Sequence, residues 1–371
     1  MKVKNRTFKI VKPLLSIGKS LLLLSLLLIA CNSEVSKSSI YNKPKALGKF
    51  NEVVVVCDQQ MWDGAVGDTF KYYFGSAYPI MPAPEPLFDI RHYTVDDLQS
   101  EPLRKELRTY VMLADLSDSD SPTTKMVTRD LGSTKSGEAM RNPDITSTVG
   151  KNKWANGQLL IYLFGKDRNT LTNSIAENFT AATERVHDHD SEILKQRTYA
   201  RELNFGYQAK IQEYFGVNLE VPSDFKEVTL DEEEPMLWLR KDAYKSIMNL
   251  VFMKIPYESK TQFEKGEIIK MINNYGAEYV EGKTPSDVLV VNEDDLPILE
   301  YTSEIDGKYA KELRGVWEMT DSFRGGPFTA NLVNSADDKY VILTFSYVFA
   351  PGEDKRDLVQ QLDYMVKQIE L

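Results

Sequence analysis

Cysteine and histidine are scarce in this sequence: two of the first and three of the second in 371 residues. One cysteine, Cys31, falls in the leader-like start described below, so Cys57 alone is left in the body and no internal disulfide can form. Stability must then come from buried apolar surface, and at 42% apolar residues two modest cores are expected before one large one. Also missing are Gly-x-Gly-x-x-Gly, the P-loop pattern and Gly-x-Ser-x-Gly, so neither nucleotide binding nor α/β-hydrolase chemistry is supported, and no cofactor is expected. Positive charge is in deficit, with 45 Lys and Arg against 55 Asp and Glu and a net charge of −10. Phosphate backbones demand a basic face, which excludes nucleic acid as a partner. Long apolar runs are absent too: the leucine-rich stretch 21–30 covers ten positions, where a spanning helix needs about 20.

That short stretch is flanked in a telling order. Lys2, Lys4, Arg6, Lys9, Lys12 and Lys19 precede it without a single acid, as in a secretory signal peptide. It ends in Leu28-Ile29-Ala30-Cys31, which resembles the bacterial lipobox. The resemblance implies cleavage before Cys31, a thioether-linked diacylglycerol on its sulfur and acylation of the new amino group. One acyl chain binds a membrane reversibly while two or more hold it stably, since each buried methylene contributes about 0.8 kcal/mol. Asn32 stands where an aspartate would resemble an inner-membrane retention signal, and Glu34 is a lone acid where a surface-export tag would have several. The expected location is the periplasmic face of the outer membrane, with the membrane contacted through the anchor. Without the six basic residues of the leader the net charge becomes −16 over 341 residues. Residues 31–48 read as a lipidated polar tether.

The body divides into an N-terminal α/β module, residues 49–205, and a C-terminal α+β module, residues 206–371. Val53-Val54-Val55-Val56-Cys57 is an apolar run of the kind buried on both faces of a sheet. A helix ending at Phe74-Gly75, an extended Tyr78–Pro86 with four prolines, and strands at Leu87–Tyr93, Tyr110–Leu116 and Gln158–Phe164 follow. Ser117–Asn152, poor in apolar residues, reads as a long loop. Leu171, Ile175, Phe179, Ala182 and Val186 recur at helical spacing, with a break near Asp190. The second module opens with a helix over Tyr207–Phe215. It continues through strands at 225–230, 236–240 and 246–255, a helix at 261–274, then strands at 297–306, 309–319, 327–334 and 339–349. Short turns such as Asp306-Gly307 imply an antiparallel meander, and Leu358, Leu362, Met365, Val366 and Ile369 a helix covering it. The fold class is α+β: two mixed α/β modules, the second an antiparallel meander covered by helices.

Few residues invite chemistry. His187-Asp188-His189-Asp190 offers imidazole and carboxylate ligands, and His-x-His resembles part of the binuclear metallohydrolase pattern. The later histidines of that pattern are lacking, and histidines two apart leave a helix on different faces. The cluster therefore reads as a solvated helix break with Asp190 capping the next helix, and no metal is expected; His187, His189 and Asp190 are the candidates were one bound. Cys57, where a buried strand meets a helix start, could feel helix N-terminal amides, but its four valine neighbours make it a core residue. Asp115, Asp118 and Asp120 miss the spacing of a calcium loop. Ser223-Asp224-Phe225-Lys226 fits Ser-x-x-Lys in the wrong order and on a strand. Arg324-Gly325-Gly326-Pro327 permits a tight reversal that exposes Phe323 and Arg324, an aromatic beside an arginine and a possible contact point.

Asn51-Glu52-Val53-Val54-Val55-Val56, Leu87-Phe88, Trp154-Ala155-Asn156-Gly157-Gln158 and Arg324-Gly325-Gly326-Pro327-Phe328 resemble an uncharacterised lipoprotein family of the Bacteroidota, a domain of unknown function. The resemblance covers the mature body and brings no catalytic residues. The helix Tyr207–Phe215, Leu219-Glu220-Val221-Pro222 and the later meander also resemble the αβα sandwich of photosystem-associated PsbP-like proteins, which bears on fold alone. The expectation is a lipid-anchored envelope protein, a non-catalytic binder or scaffold for an envelope protein or small ligand. The alternative is an envelope hydrolase or metal-dependent enzyme using Cys57 or the His187/His189 cluster.

Overall fold

The structure, a computed structural model, describes residues 43–371, of which Lys45–Leu371 form one compact unit. The leader, Cys31 and the tether as far as residue 42 lie outside the described residues. From residue 45 the chain already belongs to the body: Lys45 bridges to Asn156, Leu47 to Leu107, and Ala46 is buried between them.

The first sheet comprises β1 (Glu52–Val56), β2 (Asp89–Tyr93), β3 (Thr109–Asp115), β4 (Ser147–Lys151) and β5 (Leu159–Gly165), in the order β2-β1-β3-β5-β4. β2, β1, β3 and β5 are parallel and β4 closes one edge antiparallel to β5. Its central strands are buried along their whole length because helices cover both faces. In chain order these are α1 (Gln59–Trp62), α2 (Ala65–Phe74), α3 (Val95–Ser100), α4 (Pro122–Arg141) and α5 (Arg168–Thr198). Phe70 and Phe74 of α2, with Leu171 and Ile175 of α5, share a cluster with Val53, Val55 and Val111. Leu98 of α3 and Val127 of α4 share another with Val54, Val56 and Met112.

The second half begins with α6 (Phe205–Phe215) and builds an eight-stranded antiparallel sheet. Its strands are β6 (Lys226–Asp231), β7 (Met236–Ala243), β8 (Ser246–Pro256), β9 (Leu289–Asn292), β10 (Leu299–Ile305), β11 (Lys308–Met319), β12 (Gly325–Asn334) and β13 (Tyr340–Phe349), ordered β10-β11-β12-β13-β8-β7-β6 with β9 also on β11. α7 (Lys265–Tyr279) packs Ile268, Ile272 and Tyr275 on one face. α6 and α8 (Arg356–Val366) pack Ile211, Phe215, Leu362 and Met365 on the other. The class is α+β, and helices cover the meander on both faces. At the expected Asp306-Gly307 turn both residues have positive φ, 47° and 75°, the conformation that a two-residue hairpin requires.

Four expectations need correcting. Ser117–Asn152 is helix α4 and edge strand β4, because Pro122 opens the helix, Ser121 caps it and Val127 and Ala139 are buried. Helix α5 runs unbroken through Asp190, which is buried inside it and caps nothing. Tyr78–Pro86 doubles back, Tyr78 N–H donating to the Glu85 carbonyl at 2.7 Å while Ala77 bridges Pro86. The core is not two modest pieces: a single cluster extends from Val53 and Phe70 of the first half to Phe252, Leu362 and Ile369 of the second.

Candidate functional site

Doubly wound parallel sheets bind ligands where the strand order reverses, beyond the carboxyl ends of the strands. That point falls between β1 and β3, and side chains close it. Asp58, two residues after β1, accepts hydrogen bonds from the Ser121 hydroxyl and, at 2.8 Å, from Thr123 Oγ1, so it occupies the start of α4. His92 Nε2 lies 2.9 Å from the Cys57 carbonyl oxygen and the ring stacks on Trp62 at 4.6 Å. Cys57 is fully buried and its thiol is pushed up to about 12 by burial and Asp58, with Lys71 pulling the other way. A thiol so held is neither ionised nor reachable at neutral pH.

A concave site does exist on α5 and α8. Their side chains frame a cleft of about 440 Å³ with Tyr78 and Arg314 in its floor. Helical spacing puts His187, Ser191 and Leu194 on one side, with Gln360, Asp363, Tyr364 and Lys367 on the other. Arg314 is the centre of its polar floor: Nε meets Glu312 Oε1 at 2.5 Å and Nη2 meets Asp363 Oδ2 at 2.8 Å, with the Tyr78 hydroxyl 3.4 Å from Nη1. Asn51 donates through Nδ2 to Gln360 Oε1 at 2.6 Å and through its backbone N–H to Asp190 Oδ2 at 2.7 Å. His187 Nε2 and Asp363 Oδ1 are buried without a hydrogen-bond partner in the protein. Burial and Lys367 hold His187 below the usual histidine range against the pull of Asp188, so it is neutral at pH 7.

The acidic histidine segment thus splits, as two-residue spacing on a helix dictates. His187 faces the cleft beside Phe88, ring centroids 5.4 Å apart. His189 is pushed down to about 4 by burial, Arg108 and Lys151, opposed by a hydrogen bond with the Gly157 backbone. Asp190 is pushed up to about 6 by burial, while the Asn51 amide and Arg108, 3.5 Å away, pull it down. His92, His187 and His189 each take different neighbours. Among the described residues no group of three or more His, Cys, Asp or Glu is placed to hold a metal ion.

Both halves match uncharacterised domains. Residues 46–199 fit a family model described as a domain of unknown function (DUF8532), and residues 205–368 one described as a domain of unknown function (DUF4837). No curated protein matches. Among solved structures, the crystal structure of LpqN, involved in cell envelope biogenesis of Mycobacterium tuberculosis, is similar over 41% of this chain and 81% of that one, at 12% identity and a TM-score of 0.24. A likeness that faint carries no argument.

The last candidates from the sequence, Phe323 and Arg324, stand in the loop between β11 and β12. Phe323 is fully exposed. The loop beneath it is fixed by buried Asp287, whose Oδ1 accepts the N–H groups of Asp321 and Ser322 at 3.0 and 3.1 Å and whose Oδ2 accepts that of Lys283 at 3.0 Å. Burial raises that carboxyl, yet the amides outweigh it and its pKa lies below the ordinary range. What sequence reading missed is the cleft. Its floor joins Tyr78, Arg314 and Asp363, residues too far apart along the chain for any local pattern to link.

Proposed function

We infer that this chain is a lipid-anchored, non-catalytic cell-envelope protein of the Bacteroidota, held by acyl chains on Cys31 at the periplasmic face of the outer membrane, whose body binds a small polar ligand in the cleft of α5 and α8. The observation that carries the anchor is the order of basic stretch, leucine-rich run and Leu28-Ile29-Ala30-Cys31. No helix among the described residues is long and apolar enough to cross a membrane. In support of binding stand a concave, polar-floored cleft and two buried atoms, His187 Nε2 and Asp363 Oδ1, that a ligand's hydroxyl or amide groups would satisfy once the walls adjust. Against a hydrolase stand the sealed thiol of Cys57 and the divergence of His187 from His189.

Intact mass measurement of the natural product tests the anchor. The expected mass is that of a chain starting at Cys31 with acyl chains attached, and Cys31→Ser abolishes the addition; a bare thiol or a retained leader overturns it. Native mass spectrometry of protein purified from envelope extracts tests the cleft. A small adduct is expected that Ser191→Trp, which fills the cleft from its exposed rim, removes without unfolding the body. An adduct that survives this substitution places binding elsewhere.

A further inference from the structure

The two most exposed large apolar side chains among the described residues are Phe323 and Tyr244, at 111% and 94%. Both lie at one end of the antiparallel sheet. The register sets Ala243 opposite Ser246, Ile247 opposite Phe349 and Glu318 opposite Gly325, so the β7–β8 hairpin and the β11–β12 loop project in the same direction. In strand order the two tips are three spacings apart, about 14 Å. They also share a pattern of residues: Asp242-Ala243-Tyr244-Lys245 and Asp321-Ser322-Phe323-Arg324. In each, an acid precedes a bare aromatic ring and a basic residue follows it. The acids are already engaged within the protein, Asp242 with Arg240 at 2.7 Å and Asp321 with the hydroxyls of Ser286 and Thr284 at 2.7 and 3.3 Å.

We propose that this end of the sheet is a bilayer-docking face, in which Phe323 and Tyr244 insert to headgroup depth while Arg324 and Lys245 reach lipid phosphates. Aromatic rings settle at the membrane–water interface, and long basic side chains extend from it to the phosphates. Two isolated rings suit a fluid partner that closes round each of them. A protein partner would need about 800 Å² of continuous complementary surface on this side. The proposal rests on the lipid anchor for its strength. Eleven residues lie between Cys31 and Lys43, a reach of about 40 Å, so the bilayer is held close and weak contacts suffice to orient the body. Lys245 is 2.6 Å from Glu353, Arg324 Nη2 is 4.0 Å from Asp287, and the mature chain is acidic, so the face suits a zwitterionic bilayer.

Nitroxide labels on the full-length, processed protein test this. Phe323→Cys, Tyr244→Cys and, as a control on α2 in the first half, Tyr72→Cys each add one reactive thiol. Buried Cys57 does not react and acylated Cys31 cannot, so wild type takes up no label. In vesicles of phosphatidylethanolamine and phosphatidylcholine, the labels at 323 and 244 should lose accessibility to a water-soluble nickel chelate severalfold and gain accessibility to oxygen, while the label at 72 stays wet. Labels at 323 and 244 that stay wet on protein floating with the vesicles overturn the docking face, as does equal drying at 72. Mass and flotation report the anchor separately. If Cys31 proves bare, the same labels are read in a Cys31→Ser background at millimolar lipid, where drying at 323 and 244 upholds the face and its absence overturns it.

Discussion

A carboxylate buried in the middle of a helix needs partners, and Asp190 draws them from far along the chain: the amide of Asn51 and the guanidinium of Arg108, which also donates to the His189 carbonyl at 2.9 Å. The helical periodicity of α5 was legible in Leu171, Ile175 and Val186. The burial of Asp190 was not, because a run of His and Asp looks solvated until β1 and β3 arrive beside it. The same packing predicts a pH dependence. His189 is held at about 4 in the folded protein, facing Arg108 and Lys151, against about 6.5 when unfolded. The unfolded chain therefore takes up this proton first as pH falls, so the associated stability is complete above about 6.5 and is lost on the way down to 4. His187, lowered by burial and Lys367, acts in the same sense. Asp190, raised to about 6, acts in the opposite sense between its unfolded value near 3.9 and 6, offsetting part of the loss. Denaturant titrations at pH 7 and pH 4.5 should show His189→Gln losing about 1–2 kcal/mol less than wild type between the two, the figure allowing for a partly exposed ring. Equal losses in both proteins would refute the assignment.

At the scale of elements, the strands were readable wherever an apolar run coincided with burial on both faces, as in Val53–Val56 and Leu159–Phe164. α4 escaped because its sequence, rich in Ser, Thr, Lys and Gly, has almost no apolar stripe, and Gly132, at φ 76°, kinks it. The signals that define it are Pro122 in the first turn and Ser121 as cap. A third is remote, since Asp58, 63 residues earlier, receives the hydroxyls of both Ser121 and Thr123. Asp58→Ala should therefore fray the first turn of α4 and cost about 1–2 kcal/mol, the range of a lost cap. Hydrogen exchange checks it: amides of Thr124 and Lys125 should gain exchange while those of β13 keep their rates relative to global unfolding. Unchanged protection at the start of α4 would mean that Ser121 caps the helix unaided.

At the scale of the whole molecule, two family models divide the chain near residue 200, while one apolar cluster crosses that boundary. α8 makes the crossing. Its Val359, Leu362 and Met365 join the core under the second sheet, while Arg356 reaches the first half, donating from Nη1 to the Pro86 carbonyl at 2.5 Å and pairing with Asp89 at 2.9 Å. The Glu85 carboxylate accepts the N–H groups of Lys355 and Arg356 at 2.8 and 2.7 Å, caps the start of the helix, and fastens the loop Tyr78–Pro86 to it. The amphipathic pattern of α8 was visible in the sequence, but not that its start would be tied to residues some 270 positions earlier. Both halves should therefore melt together. Leu362→Ala removes a side chain that is 1% exposed and should cost about 2–5 kcal/mol. Because the cavity opens where the halves share one core, the loss should appear equally in amide protection of β3 and β5 and of β8 and β13, with a single calorimetric transition shifted to lower temperature. Two separated transitions, or loss of protection confined to β8 and β13, would mean that the halves are thermodynamically independent and that α8 serves only the sheet it covers.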